Sequence, residues 1–226
     1  MVTAGLVADT RTATAAAGRT VHGAASAAGP VVGVLALQGD VREHLTLLRG
    51  LGAEARTVRT PSDLVGCRAL VLPGGESTTM ARLIEAFGLE APLRAAIDAG
   101  VACLATCAGT ILLARAIQDG LPGQLTLGVL DIAVRRNAYG GQRESFEADV
   151  QVPALGPDPV SVAFIRAPAI EAIGPEVEVL ARHAGTPVAV RQGLHLALTF
   201  HPEITGDPRL HALFLRGLEP APAAGG

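Results

Sequence analysis

Short apolar runs alternate with segments of helical periodicity over residues 30–118. The first run spans residues 31–37 and ends at a polar turn at 38–40, and helical spacing follows over residues 41–51. The same pattern predicts strands at residues 55–58, 67–72 and 101–104, and helices at residues 77–87, 92–99 and 110–118. Wholly apolar strands joined by amphipathic helices are typical of a parallel sheet with helices on both faces. We therefore expect an α/β domain with a mixed, mostly parallel central sheet flanked by helices.

The pattern changes after Pro122, where shorter β-rich or alternating segments replace the strand–helix rhythm. These segments lie at residues 128–134, 146–152, 160–165, 178–183, 188–191 and 194–200. Because strands that follow one another closely can pair antiparallel through short turns, this part predicts an antiparallel extension of the main sheet. A helix at residues 208–218 is predicted to close the domain.

The two ends of the chain lack this pattern. Residues 1–30 are rich in Ala, Gly and Thr and contain no continuous apolar stretch of the kind found in signal peptides. Such a composition favours a disordered leader, or a start site assigned too far upstream. We expect one domain over residues 31–218, followed by a disordered Pro/Ala/Gly tail at residues 219–226.

The composition argues against several classes of function. The chain has 18 Lys and Arg against 21 Asp and Glu, a net charge of −3, and no basic cluster, so no nucleic-acid partner is expected. No apolar run reaches the length of a membrane span. The three cysteines form no Cys-x-x-Cys pair and lack matching histidines, so we expect neither a disulfide framework nor a metal site, and no cofactor. Free thiols favour a cytoplasmic location.

Cys107 lies in the run Ala-Thr-Cys-Ala-Gly at 105–109, between a predicted strand and a predicted helix. Small neighbours permit the strained turn that lifts a nucleophile out of the edge of a sheet. The alternative is a buried core cysteine, a common position for this residue type. For Cys67 and Cys103, which belong to predicted strands, the core is the expected position.

A thiol nucleophile needs a base, and the base needs a partner that orients it. Of the six histidines, His201 alone follows an apolar strand and has a carboxylate two positions later, at Glu203. Residues i and i+2 of an extended segment point the same way, and Pro202 favours extended backbone at His201. Glu203 could therefore orient the imidazole, although a surface turn without chemistry fits the same residues. The other histidines are expected in the leader (His22), in helices (His44 and His211), or at ordinary strand or surface positions (His183 and His195).

Two glycines follow another predicted strand, in the run Leu-Pro-Gly-Gly-Glu-Ser at 72–77. Glycine lets the backbone bend close to a ligand with its N–H groups directed outward. The N–H of Gly75 could therefore join that of Ala108 in an oxyanion hole. A phosphate-binding loop is disfavoured because no Gly-Lys-Ser/Thr or G-x-G-x-x-G motif is present. A plain strand-to-helix turn capped by Ser77 is the remaining alternative.

Three motifs in this order carry a family resemblance: Pro-Gly-Gly-Glu-Ser-Thr-Thr at 73–79, Thr-Cys-Ala-Gly at 106–109 and Phe-His-Pro-Glu at 200–203. They resemble the motifs of class I, triad-type glutamine amidotransferases, which have a flavodoxin-like, three-layer fold. More narrowly, the chain resembles the glutaminase subunits of pyridoxal 5′-phosphate synthases, through further stretches at 37–44, 136–140, 145–148 and 164–168. The resemblance covers almost all of residues 31–218.

The resemblance implies that Cys107, His201 and Glu203 form a triad that hydrolyses L-glutamine to glutamate and ammonia. It also implies a set of residues that hold glutamine: Gly75, Glu76, Ser77, Arg136, Ile165 and Arg166. The implied partner is a synthase subunit, in a large hetero-oligomer, that uses the ammonia to make pyridoxal 5′-phosphate (vitamin B6). Without the resemblance, the two arginines would be assigned to the ordinary charged surface.

Two positions depart from the family pattern: Ala105, where Gly is usual, and Gly141, where Arg is usual. Neither departure affects the triad. Two other functions compete with this assignment. One is the glutaminase of a different synthase, such as the histidine-pathway amidotransferase, and the stretches at 136–137 and 164–166 argue against it. The other is a non-enzymatic regulator with the same fold, a class in which the triad is normally broken.

Overall fold

The computed structural model describes residues 29–121, 123–136, 138 and 145–219. The leader expected at residues 1–30 lies outside this part except for its last two residues, and the tail expected at residues 219–226 lies outside it except for Glu219. Asn137, Tyr139, Gly140 and the departure at Gly141 also fall outside it. Within the described residues, no helix is both long enough and apolar enough to cross a membrane.

The described part contains twelve strands and six α-helices. The strands are β1 (Val31–Leu35), β2 (Glu54–Val58), β3 (Ala69–Leu72), β4 (Ala102–Thr106), β5 (Ala114–Ile117), β6 (Leu130–Arg135), β7 (Phe146–Val150), β8 (Val160–Phe164), β9 (Ala169–Ile173), β10 (Glu178–His183), β11 (Thr186–Gln192) and β12 (His195–Leu198). The helices are α1 (Val41–Gly50), α2 (Ser77–Ala86), α3 (Glu90–Asp98), α4 (Ala108–Leu113), α5 (Pro202–Thr205) and α6 (Arg209–Arg216).

Seven strands form the central sheet, in the order β10-β11-β12-β4-β3-β1-β2. The five strands from β12 to β2 pair in parallel, whereas β10 and β11 extend the sheet through antiparallel pairs. The expected mixed, mostly parallel sheet is therefore confirmed. Its antiparallel extension is confirmed for β10 and β11, but the segments predicted at 128–134, 146–152 and 160–165 do not join this sheet.

Apolar side chains alternate between the two faces of this sheet, as the two-residue period of a strand requires. On one face, β3 packs against α2, α3 and α4 through the buried residues Leu70, Leu72, Met80, Ile84, Leu93 and Leu112. On the other face, β1, β3 and β4 pack against α1 and α6 through the buried residues Val34, Val71, Leu104, Leu48, Leu210 and Phe214. Helices thus cover both faces, and three layers result.

Two small sheets complete the domain. β5, β6 and β9 form a three-stranded sheet whose apolar residues join the core of the α2 face, and the antiparallel pair β7–β8 joins the core of the α6 face. β9 lies at residues that the hydrophobic pattern had left unassigned.

The helix predicted over residues 110–118 is wrong in its second half, because α4 ends at Leu113 and β5 follows directly. The carbonyl oxygens of Leu112 and Leu113 accept hydrogen bonds from the N–H groups of Leu127 and Val129 instead of from a further helical turn. Pairing with a distant segment has therefore overridden the local helical pattern.

Candidate active site

The carboxyl ends of four parallel strands bring the predicted chemistry to one edge of the sheet. Residues 38–40 follow β1, residues 73–75 follow β3, Cys107 follows β4, and His201 follows β12. Because the four strands run in the same direction, these segments are neighbours although they lie far apart in sequence. The turn between β8 and β9 adds Ile165 and Arg166 at the same edge.

Cys107 has φ 45° and ψ −105°, a conformation that L-residues rarely adopt, and it directly precedes α4. Its backbone N–H donates to the carbonyl oxygen of Leu198 at 2.8 Å, which fixes the turn to the neighbouring strand. The side chain is 5% exposed, and Sγ lies 3.7 Å from the carbonyl oxygen of Ile165. Strain of this kind at a strand–helix turn is characteristic of a nucleophile elbow.

The small residue at Gly109 permits this turn, since a Cβ atom there would overlap the carbonyl oxygen of Leu72. The departure at Ala105 is accommodated, because its methyl group is fully buried in the core on the α2 face.

His201 and Glu203 form a buried pair, with His201 Nδ1 2.8 Å from Glu203 Oε1. His201 has extended backbone and Pro202 begins α5, so both side chains turn toward the same place. Burial by itself would lower the pKa of His201, but hydrogen bonds to Asp40, Cys107 and Glu203 outweigh it and raise that pKa to about 12. Burial likewise disfavours the carboxylate, yet hydrogen bonds from His201 and His44 hold the pKa of Glu203 well below its usual range. The arrangement favours an imidazolium beside an anion.

The glycine loop after β3 lies against this pair. A Cβ atom at Gly74 would overlap the His201 ring, so only glycine fits there. Gly75 has φ 147°, and a Cβ atom at this residue would lie 2.8 Å from Gln38 Oε1. That amide oxygen accepts a hydrogen bond from the N–H of Glu76 at 2.8 Å, which ties the loop to the turn after β1.

A cavity of about 260 Å³ opens above these residues. It is lined by all the predicted site residues except Glu203, namely Gly75, Glu76, Ser77, Cys107, Ala108, Arg136, Ile165, Arg166 and His201. The buried Glu203 carboxylate instead contacts the Nδ1 side of the His201 ring. The structure therefore brings the complete predicted set together around one small cavity.

Charged groups of both signs face the cavity. Glu76 caps α2 by accepting hydrogen bonds from the N–H groups of Thr78 and Thr79. Partial burial opposes the charge of Glu76, but these bonds lower its pKa. Arg136 donates to Glu76 Oε1 at 3.3 Å, and Arg166, with φ 45°, also lines the cavity. A small molecule with a carboxylate and an ammonium group could find partners for both here.

Several residues around the site were not predicted to take part. Asp40 Oδ2 lies 3.3 Å from His201 Nδ1. Gln124 accepts from Arg136 Nη1 at 2.9 Å and donates to Ser77 Oγ at 3.2 Å, which fixes the arginine. Thr106 Oγ1 accepts from the N–H of Gly74 at 3.0 Å. Asp40 lies in the stretch at 37–44 that carries part of the resemblance, whereas Gln124 lies in the loop between β5 and β6 and has no local signal.

Two further features of the described residues lie outside the set predicted to hold a ligand. Asp40, His201 and Glu203 are the one group of ligand-type side chains there whose atoms all lie within 4.8 Å of one another. The hydrogen bonds of His201 already account for that group. A larger cavity of about 650 Å³ lies at the opposite end of the strands, near Val31 and Leu215.

Comparison with known proteins identifies the family of this chain. The family model of the SNO glutamine amidotransferase family matches residues 34–220. The chain is 55% identical over 194 residues to the pyridoxal 5′-phosphate synthase subunit PdxT of Clavibacter michiganensis subsp. michiganensis, covering 85% of this chain and 93% of that one. It is 58% identical over 191 residues to the protein of the same name from Acidothermus cellulolyticus, covering 82% and 92% respectively.

A solved structure described as a glutamine amidotransferase superposes with a TM-score of 0.77 at 51% identity, covering 83% of this chain and 98% of that one. A structure of PurLQS from Thermotoga maritima superposes with a TM-score of 0.60 at 18% identity, and that likeness concerns the fold alone.

Proposed function

The chain belongs to the SNO glutamine amidotransferase family, and from that premise we propose that it is the glutaminase subunit of a pyridoxal 5′-phosphate synthase. The observation that carries the proposal is the strained Cys107 beside an imidazole that is itself hydrogen-bonded to the buried Glu203. We assign the activity to residues 31–218.

The first half-reaction forms a thioester. The Cys107 thiolate adds to the side-chain amide carbon of L-glutamine, and the carbonyl oxygen becomes an oxyanion. The N–H groups of Gly75 and Ala108 are the proposed donors to that oxyanion. His201 then gives its proton to the amide nitrogen, the C–N bond breaks, and ammonia leaves.

The second half-reaction hydrolyses the thioester. His201, now neutral, takes a proton from water, and the resulting hydroxide adds to the thioester carbon. The C–S bond breaks, glutamate is released, and the proton on His201 restores the original ion pair with the thiolate. Glu203 stabilises the imidazolium in both halves because its buried carboxylate accepts a hydrogen bond from the Nδ1–H group of His201.

Recognition of free glutamine is assigned to the charged walls of the cavity. Arg136 and Arg166 supply cationic donors for the α-carboxylate, and Glu76 supplies an acceptor for the α-ammonium group. Gly75, Ser77 and Ile165 line the remaining surface. The cavity volume of about 260 Å³ leaves room for a small molecule such as a free amino acid.

The ammonia passes to a synthase subunit in a large hetero-oligomer, where it is used to make pyridoxal 5′-phosphate. The names of the relatives support this part, since each is described as a subunit of that synthase.

The test is a glutaminase assay of the pure chain, alone and mixed with the synthase subunit from the same source. We expect glutamate release that rises on mixing and is absent in Cys107→Ala. No glutamate in either sample would contradict the glutaminase assignment. Equal rates in both samples would contradict the dependence on the partner.

A further inference from the structure

Two buried histidines lie behind Glu203, on the side away from the cavity. His44 of α1 has Nε2 3.4 Å from Glu203 Oε1 and 3.2 Å from Thr106 Oγ1. Its Nδ1 lies 2.8 Å from Nε2 of His211 in α6. Both histidines are fully buried, and they are 167 positions apart in sequence. The half-reactions above use neither of them.

The carboxylate of Glu203 determines which nitrogens of His44 and His211 carry protons. An ionised carboxylate only accepts hydrogen bonds, so the nitrogen of His44 that faces Glu203 carries the proton. In a neutral His44, Nδ1 is then an acceptor, and Nε2 of His211 must be the donor to it. The remaining nitrogen, His211 Nδ1, has no partner within the described part of the chain, which suits a nitrogen without a proton.

The charge state of His211 agrees with this arrangement. Burial, together with His44, lowers the pKa of His211 to about 3. The acidic groups that oppose this shift are Glu203 and Asp207, and they do not overcome it. A neutral His211 therefore lies at the α6 end of the contacts that lead to the carboxylate.

Three polar side-chain atoms lie close to Glu203 Oε1. His201 Nδ1 lies at 2.8 Å, Thr106 Oγ1 at 3.4 Å and His44 Nε2 at 3.4 Å. Glu203 Oε2 is buried and has no hydrogen-bond partner among the described residues. The orientation of the carboxylate thus depends on what contacts Oε1.

We propose that His44 is a positioning residue that holds Glu203 against His201, and that His211 fixes the tautomer in which His44 can do so. The inference rests on the proposed roles of Cys107, His201 and Glu203. With His44 and His211 added to the three proposed triad residues, five side chains are linked in series, and the last of them lies in α6. Without His44, the carboxylate keeps only two of its three polar contacts at Oε1, so its orientation toward the imidazolium is less well fixed and the thiolate–imidazolium pair loses stability.

Two substitutions separate this role from simple packing. The side-chain nitrogen of Asn corresponds to Nδ1 of histidine and that of Gln to Nε2, so His44→Asn keeps a polar group toward His211 and His44→Gln keeps a donor toward Glu203. Both variants are polar and of similar size. His195→Asn is the matched control, because His195 is a partly buried histidine at the start of β12, remote from the triad.

The readouts are steady-state glutaminase kinetics with the synthase subunit present, and the rate of Cys107 alkylation by iodoacetamide as a function of pH. A hydrogen bond to a charged group is worth about tenfold in an equilibrium. For His44→Asn we expect kcat to fall about tenfold with KM within about twofold, and the midpoint of the alkylation profile to rise by about one pH unit. His44→Gln should recover most of both changes, and His195→Asn should show neither.

Equal losses in His44→Asn and His44→Gln would overturn the proposal, as would an alkylation profile that His44→Asn leaves unmoved. Alkylation needs no glutamine, so the two profiles decide the role of His44 even if the wild-type chain releases no glutamate. Absence of glutamate release would instead count against the proposed function.

Discussion

Gly74 packs directly against the imidazole ring of His201, and a Cβ atom added at Gly74 would overlap Cε1 and lie 2.9 Å from Nδ1 of that ring. The glycine loop and the proposed base therefore have fixed positions relative to each other. A hydrogen bond to β4 also holds this loop, since the N–H of Gly74 donates to Thr106 Oγ1 at 3.0 Å. The hydroxyl of Thr106, the residue before Cys107, thus also fixes the position of the glycine loop.

Gly74→Ala should abolish most of the activity, because the methyl group displaces either the His201 ring or the loop. Displacement of a catalytic group by about 1 Å can cost about 100-fold in rate, so we expect kcat to fall by at least about that factor. Gly50→Ala is the matched control, since nothing lies within 4 Å of the added atom. Similar kcat values for Gly74→Ala and Gly50→Ala would contradict the close packing.

Glu203→Gln should lower kcat by about 10²- to 10⁴-fold while leaving KM for glutamine nearly unchanged. The amide keeps the shape of the side chain but removes the negative charge that stabilises the His201 imidazolium. Glu178→Gln is the control, because Glu178 is an exposed carboxylate of β10 that pairs with Arg191 of β11. A kcat of Glu203→Gln within about threefold of the wild-type value would refute this role for the charge.

Arg136→Met should raise KM for glutamine, by about 10- to 100-fold if one charge-assisted hydrogen bond to the α-carboxylate is lost. The neighbouring Arg135 is the matched control, because it is exposed and ion-paired with Glu171 away from the cavity. Substrate-saturation curves of Arg136→Met and Arg135→Met make the comparison. An unchanged KM for glutamine in Arg136→Met would show that Arg136 does not bind the α-carboxylate.

The stability of the folded protein should fall in mild acid because His211 is buried and neutral. Its pKa is about 3 in the folded protein against 6.5 for the free side chain. Between these values the unfolded chain binds a proton that the folded chain does not, so stability is lost as the pH decreases below 6.5. Between pH 7.5 and pH 5 this one group contributes a loss of about 2 kcal/mol.

Urea unfolding of the wild type and of His211→Gln at both pH values measures this contribution. The difference in unfolding free energy between the two proteins should change by about 2 kcal/mol between pH 7.5 and pH 5 in favour of the variant. A difference that stays constant across the two pH values would show that His211 is not kept neutral.

The parts of the molecule that were predictable have local causes. Cys107 was a candidate because small residues surround it between an apolar strand and a helix, and His201 because a carboxylate follows it two positions later. The mostly parallel sheet followed from its continuous apolar strands. In each case the residues that determine the structure or the chemistry are neighbours in the sequence, so a short stretch is enough to predict it.

The parts that were not predictable depend on contacts between distant segments. His44 and His211 meet only because α1 and α6 pack on the same face of the sheet, and each looks like an ordinary helical histidine in the sequence. Gln124 reaches Arg136 from a loop with no motif. β5 replaced the end of a predicted helix because β6 was available for pairing. Local propensity carries no information about such partners.

The most direct test of the central claim is covalent labelling with a reactive analogue of glutamine, such as its diazoketone, followed by mass spectrometry of the digested protein. We expect the label on Cys107, and none on Cys103, because burial raises the pKa of the Cys103 thiol to about 12 and leaves it without thiolate. The label should be lost in Cys107→Ala and reduced by excess glutamine. Labelling of Cys103 instead of Cys107, or no label at all in the presence of the synthase subunit, would contradict the account.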